Sequence, residues 1–277
     1  MAGRTEVKIR DISKLLRWRL ALLNGVSATG GYLLFPGAAD VRQLLAVCGG
    51  TALLAAAGSA FNQVLERDVD LLMSRTKGRP LPAGTMTVST AVTIGVVTFL
   101  CGLFWIVRAG GVSAGLFGVF TLVWYLAVYT PLKRRTSLSL PLGAFCGAMA
   151  PLIGWTVAGG AYNDHHIQLV AGVMFLWQIP HFWLLQNRCC DDYRAAGFPI
   201  CTIASGDGRT HLMALWMVAL TAGAMLLPLF GVIQPFFTLW YALFIILLFM
   251  SFLFRSEKAL FACLNMFPLL LTLALAC

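Results

Sequence analysis

Charge is the scarcest commodity in this chain. Only 11% of its 277 residues are Asp, Glu, Lys or Arg, against about 25% in soluble domains. Water is therefore excluded as the main solvent of its surface. None of its eight cysteines forms a CxxC pair. Most lie in apolar runs, where a thiol behaves as a small hydrophobe. Cys189 and Cys190 fall in a loop expected in the cytoplasm, where thiols stay reduced, so neither a disulfide framework nor a zinc site is expected. The stretch before the first apolar run has no short apolar core ending in a small-residue cleavage site, so no secretory signal or transit peptide is expected. Barrel strands are also excluded, because the apolar runs are continuous rather than alternating.

What the chain has in excess is apolar length. Hydrophobic residues make up 59% of it, and a helix needs about 20 largely apolar residues to cross a bilayer. Nine such runs stand out, roughly 18–36, 41–62, 88–108, 111–130, 139–159, 166–186, 211–231, 236–254 and 257–276. The expected fold is an all-α integral membrane protein, one bundle of nine transmembrane helices spanning 1–277 as a single domain, with a short arm at 1–17.

The formal charge of +9 does not point to nucleic acid, because of where it sits. Of the 20 Lys and Arg, all but Arg42 and Arg108 fall in the arm or in alternate connections. The positive-inside rule then places the N-terminus in the cytoplasm and the C-terminus outside. A bacterial inner membrane is the simplest location. Two connections on the inner side are long and charged, 66–87 and 187–210.

Five of the eleven acids gather in those two loops: Glu66, Asp68 and Asp70, and Asp191 and Asp192. Asn62, Glu66 and Asp70 are four apart, a spacing that stacks side chains on one helix face. An oxygen-only donor set suits Mg²⁺ better than a transition metal. The same loops carry Arg67, Arg75, Lys77, Arg79 and Arg188, and the next inner loop carries Lys133, Arg134 and Arg135; guanidinium groups grip phosphate oxygens. Acids for a metal and bases for phosphate, at the mouth of a lipid-facing bundle, point to an amphiphilic diphosphate. A cation or lipid carrier would also use carboxylates, but such sites usually lie near the midplane.

These residues carry a resemblance. Asn62-Gln63-Val64-Leu65-Glu66-Arg67-Asp68-Val69-Asp70, then Arg75-Thr76 and Arg79-Pro80-Leu81-Pro82, resembles the first signature of the UbiA prenyltransferases. Tyr129-Thr130-Pro131-Leu132-Lys133-Arg134-Arg135, Pro180-His181-Phe182-Trp183 and Asp191-Asp192-Tyr193-Arg194-Ala195-Ala196-Gly197-Phe198-Pro199 resemble the members that farnesylate haem. The resemblance spans about residues 15 to 275. It implies transfer of a farnesyl group from farnesyl diphosphate to a vinyl group of haem B, giving haem O, with Mg²⁺ assisting departure of the diphosphate. A quinone precursor or chlorophyllide is the alternative acceptor within the family.

Carried over by position, Asn62, Glu66 and Asp70 hold metal with Asp68 beside them, and Asp191 and Asp192 serve a second site. Arg67, Arg75, Lys77, Arg79, Lys133, Arg134, Arg135 and Arg188 are the diphosphate candidates. The chain departs from the family at Glu66, where Asp is usual, at Gln63, where many members have an acid, and at Arg188, which stands four before Asp192 where a second acid is common. Of the histidines, His181 lies in an apolar run near the second acidic loop and is a candidate haem ligand, or else a satisfied structural residue. His165 and His166 fall on the outer side and His211 at an interface. Trp155, Trp177, Phe182 and Trp183 are candidates to shield an allylic cation.

Overall fold

The computed structural model describes residues 8–37, 40–136, 139–199 and 207–276, with the side chains of 207–210 left aside. The first part of the arm and residues 200–206 of the second long loop lie outside them. Among the described residues the chain is helical with no strand. The elements are α1 (Ile9–Leu16), α2 (Trp18–Leu33), α3 (Val41–Leu65), α4 (Arg67–Asp70), α5 (Val88–Val123), a π-helical stretch Trp124–Tyr129 leading into α6 (Thr130–Leu132), α7 (Ser139–Val157), α8 (His165–Arg188), α9 (Cys190–Ala195), α10 (Asp207–Leu229), α11 (Pro235–Leu253) and α12 (Glu257–Ala276).

Seven helices among the described residues are long and apolar enough to cross a membrane. One of them, Val88–Leu132, covers 45 residues, about 68 Å if straight and twice a hydrocarbon core. It is not straight. At Gly111 the backbone takes φ 72° and ψ −172°, a region open essentially to glycine alone. The position of Gly115 faces Val107 and Leu103, neighbours that a continuous helix would place two and three turns away. Leu54 of α3 touches the positions of both Gly102 and Gly118. The helix therefore folds back on itself, and its two halves coincide with the separate runs at 88–108 and 111–130 in the sequence. The first run forms α2, only 16 residues long.

Glycine sets the closest helix contacts. A side chain on Gly31 would collide with the Pro151 carbonyl, and one on Gly154 with the Ala28 carbonyl, so α2 and α7 meet backbone to backbone. Small residues permit such approach in lipid, where dispersion rather than hydrophobicity holds helices together. Around α2, α3, α5 and α7 the core is mostly Ala, Val and Ile, with Leu54 and Tyr32. Around α8, α10, α11 and α12 it is built from Leu, Phe, Met and Trp. Large apolar side chains also face outward, among them Phe104, Leu116, Phe236, Trp240 and Leu273; hydrocarbon tails are the solvent that makes this favourable.

At the charged end, α1 packs under the bundle through Leu15, which meets Ala60, Met86 and Ala91. Gln63 Nε2 donates to the Lys14 and Leu15 carbonyls at 3.1 and 2.7 Å. Gln63 thus ties α1 to α3.

Candidate active site

Helix α3 ends at Leu65, and Glu66 leaves helical geometry with φ −109° and ψ 11° before α4 begins. The four-residue spacing survives that break, because the Glu66 N–H donates to the Asn62 carbonyl and the Asp70 N–H to the Glu66 carbonyl, at 2.9 and 2.8 Å. Asn62, Glu66 and Asp70 are therefore all buried on one side, while Arg67 and Asp68 point outward. A buried carboxylate needs a cation or donors beside it. Glu66 Oε2 accepts from Asn62 Nδ2 at 2.8 Å and from Lys133 Nζ at 2.6 Å. Asp70 accepts from Arg79 Nη1 through both oxygens, at 2.9 and 2.7 Å. Thr130 Oγ1 donates to Asn62 Oδ1 at 3.0 Å. Burial pushes the Lys133 ammonium below its ordinary acidity range, and Glu66 pulls it back up.

Glu66 Oε1 is left over, buried with no partner in the protein. Unsatisfied buried carboxylate oxygens are uncommon enough to call for an explanation. A leftover carboxylate oxygen on a residue that lines a cavity together with Asn62 and Asp70 fits a hard cation, so the residues present suit Mg²⁺.

These groups form one end of a cavity of about 530 Å³. Arg17, Arg75, Arg79 and Lys133 join the acids at the mouth. Further in, the walls pass through Ser59, Asn24 and Gln178 to Leu54, Ile153 and Trp177. His181 also lines it, stacked between Trp177 and Phe261 with centroids 5.0 and 6.1 Å away. Its Nδ1 is buried without a partner. Phe182 lines the cavity, but Trp155 and Trp183 do not; Trp155 donates to the Ala161 carbonyl at 2.9 Å, and Trp183 lies in the apolar core.

The second acidic loop reaches the first. Asp192 accepts from the backbone N–H groups of Ser74 and Arg75, each at 3.0 Å, and these two donors hold its carboxyl below the usual range. Tyr193 and Phe198 pack beside Val69 and Met73 and also line the cavity. Asp191 is instead fully exposed and sits 3.5 Å from Arg194.

The remaining sequence candidates divide the same way. Arg134 makes two contacts to Asp68 at 3.0 and 3.1 Å, and this partner holds the Asp68 carboxyl down. Arg67 donates to the Val64 carbonyl. Arg188 lies 4.0 Å over the Phe261 ring and donates to the Glu257 carbonyl. Lys77 and Arg135 are exposed. None of these five cations lines the cavity, nor do Asp68, Asp191 and Asp192.

Sequence reasoning missed Arg17, counted there only as one charge of the arm. It is the elbow between α1 and α2, in the left-handed region at φ 48°, ψ 48°. For a residue with a β-carbon that costs about 1–2 kcal/mol, and such strain clusters at functional sites. Thr130 was missed as well, since a lone threonine at a helix end carries no signal.

The sequence profile of the UbiA prenyltransferase family matches residues 25–274. The chain belongs to the UbiA prenyltransferase family. Its curated relatives include the protoheme IX farnesyltransferase of Geobacter sulfurreducens, 52% identical over 94% of this chain and 96% of that one. The protoheme IX farnesyltransferase of Oleidesulfovibrio alaskensis is 38% identical over 80% and 78%. Among solved structures, a UbiA homologue from Aeropyrum pernix aligns with a TM-score of 0.76 at 19% identity, covering 92% of this chain and 96% of that one. Another, from Archaeoglobus fulgidus and bound to GPP and Mg²⁺, gives 0.68 at 15% identity, covering 96% and 99%. The fold is thus that of the UbiA family, and the chain is a multi-pass membrane prenyltransferase.

Proposed function

We propose that this UbiA-family protein transfers a farnesyl group from farnesyl diphosphate to a vinyl group of haem B, yielding haem O. The observation that carries the reading is the buried set Asn62, Glu66 and Asp70, with Glu66 Oε1 unsatisfied, at the charged end of a long cavity whose far walls are apolar. The high identity to protoheme IX farnesyltransferases over nearly the whole chain favours haem over a quinone or chlorophyllide acceptor.

Asn62, Glu66 and Asp70 would hold Mg²⁺, whose charge, when bound, offsets that of the departing diphosphate. Lys133 and Arg79 rest on Glu66 and Asp70. A diphosphate at this mouth would meet both of them together with Arg75, which lines the same cavity. The prenyl tail lies among Leu54, Ile153 and neighbouring apolar walls, where water is kept from the allylic cation. Trp177 and Phe182 line that space, and aromatic rings there would shield a cation. His181, fixed by stacking and with an unsatisfied nitrogen, would meet the acceptor's iron. Asp192 positions the 71–87 loop through Ser74 and Arg75 rather than meeting the substrate directly.

The reading includes nine spans in a bacterial inner membrane, with the N-terminus in the cytoplasm. Support comes from the reversal at Gly111, from α2, about 24 Å long, and from the one-sided distribution of Lys and Arg. The test is purified protein in detergent with haem B, farnesyl diphosphate and Mg²⁺, with haem analysed by mass. A gain of one farnesyl group and one hydroxyl group, dependent on Mg²⁺, is expected. Unchanged haem, with diphosphate released when a quinone precursor replaces it, would reject the acceptor.

A further inference from the structure

Next to the cavity mouth lies a second depression of about 550 Å³, between the α1–α2 elbow and the 74–79 turn. Its lining holds five cations, Lys14, Arg17, Arg19, Arg75 and Arg79, and no acid. Arg79 is neutralised by Asp70. The other four form no ion pair with a carboxylate among the described residues. Lys14 donates to the Gly78 carbonyl at 3.0 Å, and Arg19 lies over the Trp18 ring at 5.5 Å. Gathering like charges without a counter-ion is unfavourable, and here an elbow with positive φ at Arg17 holds them together. Such an arrangement favours an anionic ligand.

The depression and the cavity share Arg17, Leu20, Arg75 and Arg79. One ligand can therefore occupy both, with its reacting edge in the cavity and its opposite edge outside. The donor's diphosphate already has Lys133, Arg75, Arg79 and the acid-held cation, so Lys14, Arg17 and Arg19 are in excess of its needs. The other substrate in the reading above is a flat apolar ring with vinyl groups toward one edge and two carboxylates on the far edge. Bringing a vinyl group to the allylic carbon leaves those carboxylates pointing out of the cavity. We infer that this depression binds the propionate carboxylates of the tetrapyrrole acceptor, with Lys14, Arg17 and Arg19 as their ligands and Trp18 and Leu20 supporting the ring edge. Charge-assisted contacts of this kind are among the stronger polar ones.

The inference rests on haem as acceptor, so its test reads binding separately from turnover. Haem B and its dimethyl ester, which keeps the ring and vinyl groups but lacks the charges, are titrated by absorbance into the full-length protein in detergent. The ester should bind roughly tenfold or more weakly. Arg19→Ala should weaken haem B by a similar factor, lose discrimination between the two ligands, and leave KM for farnesyl diphosphate unchanged; Arg19→Lys should restore much of it. Equal binding of ester and haem B by the unsubstituted protein would overturn the inference even if haem O is formed. So would Arg19→Ala raising KM for farnesyl diphosphate instead, which would assign the depression to the donor. Discrimination against the ester without any haem O would keep the carboxylate site and reject only the reaction.

Discussion

Replacing Lys133 with Met isolates the electrostatics of the metal-side carboxylates. The pair it breaks is short and nearly dry, 2.6 Å between Lys133 Nζ and Glu66 Oε2 with side-chain exposures of 16% and 5%. At an effective dielectric of about 20, that separation corresponds to roughly 6 kcal/mol of gross attraction. Removing one partner of a buried pair costs about 3–5 kcal/mol, because the other charge stays behind. Glu66 keeps the Asn62 donor, so the deficit of Lys133→Met should fall toward the lower end of that range. The double variant Lys133→Met/Glu66→Gln should recover most of the loss, since no buried charge remains. Thermal unfolding of both variants in detergent, without added metal, measures this. A deficit that Glu66→Gln fails to relieve would show that Lys133 acts by packing and that the ion pair is not what holds this corner.

Other expectations follow from the same geometry. Asp70→Ala should nearly abolish Mg²⁺-dependent turnover while the protein still inserts in membranes, checked by activity against yield in the membrane fraction. Arg134→Ala removes an exposed pair with Asp68 worth about 0–1 kcal/mol, so KM for farnesyl diphosphate should stay within about twofold; a rise of tenfold would place Arg134 on the diphosphate. Asp192→Asn loosens the loop at Ser74 and Arg75 and should lower turnover at least several-fold more than Asp191→Asn, compared side by side. Gly31→Ala drives a methyl group into the Pro151 carbonyl and should cost about 1–3 kcal/mol by thermal unfolding, with no specific effect on KM.

The apolar runs carried most of the fold, because each crossing has to satisfy its backbone within itself. The turn between 108 and 111 was legible as a gap between runs, and Gly111 is the residue that makes it. The Asn62–Glu66–Asp70 face was legible too, since spacing by four is a local property. What the sequence hid is long-range. Asp192 bonds to a loop 118 residues earlier, and nothing near Asp192 or Ser74 announces the pairing. Arg134 and Lys133 are adjacent and of one charge, yet one faces a surface acid and the other a buried one. Only the geometry of the chain leaving the π-helical stretch separates them. Arg17 was hidden for another reason: a strained elbow between two helices is written in φ and ψ, not in residue type.

The reversal at Gly111 also bears on how the protein is made. Its two apolar halves are joined by a single residue's turn, with Arg108 as the one charge beside it. On the nine-span reading proposed above, the two halves would enter the bilayer together as one hairpin. A nascent chain halted just short of Gly111 presents a lone helix whose glycine face, at Gly95 and Gly102, has only α3 to meet. Quality control at the membrane would then be decided at one glycine, before any residue of the second acidic loop has been synthesised.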